Sequence, residues 1–476
     1  MNRRFGPLLV VLAMPLVASA LGLVARGQWD ARWSTGLRRE FVVHGQQAND
    51  RVMQRYSLAA LCSDARTAAR VPPCRTYNRF SAVILAAAAT AGMGLLLLGG
   101  IAAAGARARR SRKAVMAGFR PVVYGVTVSL VLLLLAHALL GIQVAQLLAI
   151  VVGWPGAAIL GFIGVAAFLL VIATSAAAIR LARSLTRERP LFGIRIDAFA
   201  ARRVFPGGTM PSGTHEFHPR HVVVGFVPEV FVSSRGAAWL DGRLDGRSLH
   251  VSLTLAQIMT PAQFQATVCH ALHRAGRHKG AAARLDEAWI GATAELEDLR
   301  SSRGLRRVVA LPVLWVLTLL LDAYRDAHAA LEREEELASD RAAADAFGPA
   351  VYGAGLLKAL AFGPAWTAAV RAMADAAASG TQYPNARLLF AEIVAANTGQ
   401  AHVAAALHPD AATPRSSVPL RQRLERLGVV PEDLVAYALD VQPDDPAIAL
   451  IDWDLTALEE RLTTVAHLQL LHAGQG

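Results

Sequence analysis

Two short stretches of this 476-residue chain hold the side chains best suited to chemistry. "TVCHALHRAGRH", residues 267–278, carries three histidines, and "EREEELASDRAAADAFG", residues 332–348, carries a run of acids. Residues three or four apart share a helix face. His270 and His273 could therefore meet one metal ion, with His278 and Glu336 completing an unusual site. Glu336 and Asp340, four apart, also face one way, and Ala338, Ala342 and Ala343 let that helix pack closely. Hydrolysis by a metal-bound water further needs a carboxylate beside the water. None adjoins the histidine pair, since Asp286 and Glu287 lie farther along. Arg274 sits on the face of His270, about 40° around the axis, but a guanidinium stays protonated and has no lone pair for a metal.

The elements that must position these groups are legible nearby. Thr260, Pro261 and Gln263 mark a helix start with a capping box. Phe264, Val268 and Leu272 then fall at i, i+4 and i+8, an inward stripe. Cys269 is expected as a reduced thiol on that buried face. Ahead of the helix, "HVVVGFVPEVFVSS" and "LHVSLTL" are β-rich, with turns at Asp241-Gly242 and Asp245-Gly246, predicting a small sheet or hairpin. Residues 205–220, rich in Gly, Pro and Ser, read as a linker. Residues 308–321 are uncharged but number only 14 and contain Pro312. They are expected as a buried or interfacial helix, because a crossing there would put Glu336 on the far side of the bilayer from His270. At the end, "DLTALEERLTTVAHLQLL" predicts an amphipathic helix that either docks on its own domain or pairs with another copy.

Composition divides the chain into unlike parts. It is 54% hydrophobic, with positive mean hydropathy, yet its second half is well charged. Residues 5–25 and 80–106 are apolar, and 121–179 contain no Asp, Glu, Lys or Arg. At about 20 residues per crossing these predict a first transmembrane helix or signal anchor over 1–25 and three more over 80–180. "ARARRSRKAVMAGFR" holds six basic residues and no acid, and "RLARSLTRERP" follows the last apolar run. Basic loops stay on the cytoplasmic side, so residues 26–79 are expected outside and everything after about 185 in the cytoplasm of a multi-pass plasma-membrane protein. Cys62 and Cys74, in the external loop, are expected to form a disulfide. The net charge of +12 is mostly arginine beside the apolar runs. It fits attraction to anionic lipid, with no nucleic-acid pattern. His137, inside an apolar run, is expected neutral and hydrogen-bonded; ionisable residues are too scarce there for a transport pathway.

Taken together, these stretches resemble the integral-membrane zinc metallopeptidases of the HtpX and CAAX-prenyl-protease type. In that family a strand leads to H-E-x-x-H on a helix, and E-x-x-A-D follows on a second helix. "HVSLTLAQIMTPAQFQATVCHAL" is similar to the approach, "ELASDRAAADAFG" to the second motif with Ser339 for Ala, and "VPLRQRLERLG" to the closing helix. Thr413-Pro414 stands where the family commonly has His-Pro. The resemblance covers about residues 220–430 and implies a cytoplasmic zincin-like α+β domain over 190–440, beyond four membrane helices in a mostly α protein, with a C-terminal helix over 441–476. It implies that His270 and Glu336 are zinc ligands and that Asp340 supports them. Ala271 and Arg274 then stand at the general base and the second ligand. Neither can do that work, so zinc is possible by kinship but expected to be absent, with Arg274 pairing with Glu336 in the cation's place. The implied role is a catalytically degenerate binding or scaffold protein for a membrane-protein or peptide partner. The alternative is an active zinc metalloendopeptidase with a rearranged site.

Overall fold

The computed structural model describes residues 5–43, 50–152, 156–185, 193–197, 201–205, 219–233, 237–239, 242–244, 246–277, 281–381, 383–396, 400–408, 418–451 and 454–473. The linker expected at 205–220, His278, Asp241, Asp245 and the Thr413-Pro414 pair fall largely or wholly outside these residues. The chain divides into two compact units, one of residues 1–186 and 285–326, the other of 187–284 and 327–476.

The first unit is helical. Helix α1 (Phe5–Val43) continues well past the expected end at residue 25. Short helices α2 (Asp50–Arg55), α3 (Leu58–Leu61) and α4 (Ala65–Arg70) lead to α5 (Pro72–Arg110), α6 (Arg112–Val152) and α7 (Gly156–Ser184). The uncharged run 121–179 is thus divided between two helices, as its length requires. Glycine sets the approach of α1 to α5: a Cβ at Gly94 would collide with the Val11 side chain, a close helix contact of the kind small residues permit in membranes. At the other end of this pair, Arg26 Nε donates to Tyr77 Oη at 2.6 Å and Trp29 meets Phe80 edge-on. Cys62 and Cys74 are disulfide-bonded, tying α3's end to α5's first turn. His137 Nδ1 lies 2.7 Å from the Leu133 carbonyl, one turn back.

Helices α10 (Ala281–Ser301) and α11 (Gly304–Phe347) follow the second unit's first segment. Residues 285–326 belong with the bundle, so the 190–440 stretch is not one continuous body. Four helices among the described residues are long and apolar enough to cross a membrane: Gly6–Glu40, Pro72–Arg110, Arg112–Leu147 and Gly304–Phe347. The last corrects the length argument made for residues 308–321. Pro312 does not end the helix there, and the apolar stretch is part of 44 helical residues.

The second unit places a four-stranded sheet against helices. Strands β1 (Ile194–Ile196), β2 (His221–Gly225), β3 (Phe231–Ser233) and β6 (Ser248–Ser252) lie in the order β1-β2-β6-β3, while β4 (Ala237–Trp239) and β5 (Gly242–Leu244) form a separate hairpin. β2 and β6 pair in parallel, and β1 and β3 pair antiparallel at the edges. The continuous apolar run of β2 suits a central strand covered on both faces. "LHVSLTL" is strand only as far as Ser252. The Ser252 hydroxyl accepts the Leu255 amide at 3.2 Å and starts α8 (Leu253–Ile258), so its last three residues are helical.

Helix α9 (Pro261–Arg277) opens with the expected capping box. The Gln263 amide donates to Thr260 Oγ1 at 3.4 Å and the Thr260 amide to Gln263 Oε1 at 3.2 Å. Phe264, Val268 and Leu272 are fully buried in the unit's core, each side chain contributing about 1.5–3 kcal/mol. Helix α12 (Pro349–Ala378) packs on α9 after the turn at Gly348, whose φ of +89° favours glycine. Helices α13 (Ala386–Ala396), α14 (Gln400–Leu407), α15 (Leu420–Arg426), α16 (Val435–Leu439) and α17 (Leu455–Ala473) complete the unit. The last docks on its own chain: Leu458 and Leu462 enter the core, and Arg387 Nε donates to Glu459 Oε1 at 2.5 Å.

Candidate functional site: an arginine-filled acidic cluster

The histidine helix α9 and the acidic end of α11 meet in the second unit. Their contact is lined by Ala266, Cys269, Ala343, Ala344 and Tyr352, all buried, and the alanines hold the backbones close. Cys269 is a free, buried thiol, and burial pushes its pKa up to about 11. Glu336 and Asp340 are buried, not a solvated face. His270 Nε2 lies 3.8 Å from Glu336 Oε1, and its Nδ1 lies 3.1 Å from Asp340 Oδ1. Three of the residues singled out in the sequence, His270, Glu336 and Asp340, are therefore brought together.

Arg274 reaches the same cluster. Its Nη1 donates to Glu336 Oε2, and its Nη2 lies 3.5 Å from Glu332 Oε1. This is the ion pair expected from placing a guanidinium where a second ligand would stand. His273 points elsewhere in the seam, with Nδ1 3.3 Å from Ser339 Oγ. Its pKa is lowered by burial first, then by the nearby Arg277 and His270 charges. Ala271 is buried and offers no acceptor.

Two partners of the cluster escaped the sequence reading. Arg423, on α15, is buried at 3% exposure. It donates from Nε to Asp340 Oδ2 at 2.8 Å and from Nη2 to Oδ1 at 2.6 Å, a two-pronged grip. Its Nη1 reaches Glu336 Oε1 at 2.7 Å. Tyr352, on α12, donates its phenolic proton to Asp340 Oδ1 at 2.6 Å. It accepts from Arg423 Nη2 at 3.3 Å and faces His270 Nδ1 at 2.9 Å. With the phenol's proton committed to Asp340, His270 Nδ1 is the donor toward the phenol oxygen, an assignment inferred from the hydrogen bonds. The only sequence signal for Arg423 was its place in "VPLRQRLERLG"; Tyr352 gave none.

The electrostatics follow from this geometry. Burial alone would raise the pKa of Asp340, but the Arg423 charge and the hydrogen bonds from His270 and Arg423 outweigh it and hold the carboxyl well below its usual range. Burial raises the Tyr352 phenol well above its ordinary value, and the Asp340 charge pushes the same way. Asp340 is thus a fixed anion and Tyr352 a fixed donor.

His270, Glu336 and Asp340 offer ligand atoms within 4.8 Å of one another, spacing that could hold a metal ion. The donor chemistry does not fit zinc. Zinc in a protein site draws on four donors, or three and a water. Here Glu336 already gives one oxygen to Arg274 and the other to Arg423. Asp340 is gripped on both oxygens by Arg423. Of the three, only His270 is not committed to a guanidinium, and a divalent cation would sit against two of these groups. No protein-family model matches the chain, and neither curated proteins nor solved structures match it.

Proposed function

We propose that this chain is an integral-membrane protein of metallopeptidase type whose centre has been converted from a metal site to an ion-pair cluster, and that it works as a binding or scaffold protein. The observation that carries the reading is the pairing of Arg274 and Arg423 with the two oxygens of Glu336. Hydrolysis needs a polarising metal, a free carboxylate base and an open coordination position. Ala271 removes the base, and the guanidiniums take up the carboxylate. The order of elements supports the kinship: apolar helices, a sheet, a capped helix bearing His270, then a helix bearing Glu336 and Asp340.

In this reading the domain has a zincin-like core and lies in the cytoplasm of the plasma membrane, as the arginines flanking the apolar runs favour. Its partner is a membrane protein or peptide. The competing reading, a zinc endopeptidase with a rearranged site, draws on the close spacing of His270, Glu336 and Asp340. Cleavage of casein and of a membrane-protein substrate by the purified full chain, with and without a chelator, separates the two. No turnover above a heat-inactivated control is expected. Cleavage that a chelator abolishes and zinc restores would overturn the proposal.

A further inference from the structure

The α10–α11 hairpin enters the apolar bundle from its basic end. Arg109 Nη1 donates to the Ala323 carbonyl at 3.5 Å, and Tyr324 meets Phe119 edge-on, both beside the basic stretch 107–120. Back along α11, Trp315 lies against Gly6, and the Val309 carbonyl accepts from Thr174 Oγ1 at 3.3 Å, six residues inside Arg180. Helix α10 runs beside it: Trp289 also meets Phe119, Gly291 abuts the Ser184 carbonyl, and Glu295 lies 3.9 Å from Arg180. Depth follows from helical rise. Trp315 to Val309 is about 9 Å and Gly6 to Val11 about 7.5 Å, so Val309 lies level with Val11, which is set against Gly94 in the middle of the apolar run 80–106. Residues 303–308 lie beyond Val309, in the interior of the apolar zone. A hairpin that goes in with α10 and returns with α11 brings the chain back to the side it left, and His270 and Glu336, before and after it, stay in one unit.

The tip at that depth is charged. Arg300, Arg303, Arg306 and Arg307 are exposed, as are Leu305 (77%) and Val308 (59%). Arg306 donates to Asp298 at 2.8 Å, and Arg300 lies 3.8 Å from Glu297. Among the described residues no acid is set against Arg303 or Arg307, which flank Leu305. Lipid cannot cover these two, because an unpaired charge in the hydrocarbon is costly and the side chains start too deep to reach the interface. Water alone would leave Leu305 and Val308 wetted. A second copy adds like charge, since each tip carries four arginines against Glu297 and Asp298. What fits both the arginines and the apolar pair is an apolar helix that brings carboxylates of its own.

We propose that the α10–α11 tip docks a transmembrane helix of the partner membrane protein, one that is apolar apart from two carboxylates near the middle of the bilayer. Those carboxylates pair with Arg303 and Arg307, and the apolar face beside them covers Leu305 and Val308. This rests on the binding role proposed above and names its partner's chemistry. Its test reads association inside a bilayer, so its failure is separate from the outcome of the cleavage assay.

The test uses the full chain in phosphatidylcholine vesicles, carrying Leu305→Cys labelled with a bimane fluorophore, which a nearby tryptophan quenches. Cys62 and Cys74 are bonded to each other and Cys269 is buried with a raised pKa, so none of them competes for the label. The probe ligand is a synthetic Leu/Ala transmembrane peptide of about 20 residues, with two glutamates one turn apart at its centre and a tryptophan beside them. It should quench the fluorophore saturably, while the same peptide with glutamine for both glutamates should not. Adding Arg303→Gln and Arg307→Gln should reduce quenching by the glutamate peptide to the level of the glutamine peptide. Without peptide, lipids brominated in the middle of their chains should quench the probe at 305 more than a probe introduced by Tyr437→Cys, at an exposed position of the other unit. Equal quenching by the two peptides, or none by either, would overturn the docking of an acidic helix. Bromolipid quenching at 305 no greater than at 437 would overturn the depth on which it depends.

Discussion

Arg423 does more in this molecule than its place in the sequence suggests. It is buried against Asp340, Glu336 and Tyr352, and a charge buried in that way is tolerable only while its partners remain. Arg423→Ala should destabilise the domain by about 3–5 kcal/mol, since it leaves the buried Asp340 without a cation that grips it and Glu336 with Arg274 alone. Arg274 is 25% exposed, so Arg274→Ala should cost less. Arg274→Ala and Glu336→Ala should be non-additive by about 0.5–3 kcal/mol in a denaturant double-mutant cycle; simple additivity would mean that their pairing contributes nothing. The Arg274–Glu336 pair was foreseen only through the resemblance, which set Arg274 at a ligand position facing Glu336; helix periodicity alone gave no more than that Arg274 lies beside His270. Arg423 and Tyr352 were not foreseen, because the contacts 83 and 12 residues from Asp340 depend on how α15 and α12 pack, and no local periodicity encodes that.

Among the elements, α12 is held by one buried cation. Lys358 is fully buried and its Nζ donates to the Ile258 carbonyl at 2.9 Å and to the Asp440 carbonyl. These close α8 and α16, whose last carbonyls have no intrahelical donor. Burial lowers the Lys358 pKa to about 8, with the Asp440 charge opposing. The sign follows from proton counting. Between about 8 and the ordinary 10.5 the unfolded chain holds a proton that the folded chain has released, so stability should rise with pH across that window. Denaturant titrations of the full chain at several pH values should show that rise and its absence in Lys358→Met; an unchanged slope in the variant would contradict it. At this scale the sequence was a good guide to α9, where the capping box and apolar stripe agree. It misjudged "LHVSLTL", where Ser252 ends a strand by capping a helix. For residues 308–321 only the length argument fails, because Pro312 lies inside a helix of 44 residues.

For the whole molecule, apolar runs and arginine-rich ends foretold a mostly helical membrane protein, and the Cys62–Cys74 bond was legible from its place between them. The division into units was not, because residues 285–326 leave one body for the other between two segments that each look domain-like. What unites the scales is the proposed exchange of a metal ion for guanidinium groups at the acidic cluster. The most direct test is elemental analysis of the full chain, expressed with added zinc and purified without chelator. Zinc far below stoichiometric, and unchanged by His270→Ala, is the expected result. About one zinc per chain, lost on His270→Ala or Glu336→Ala, would contradict it.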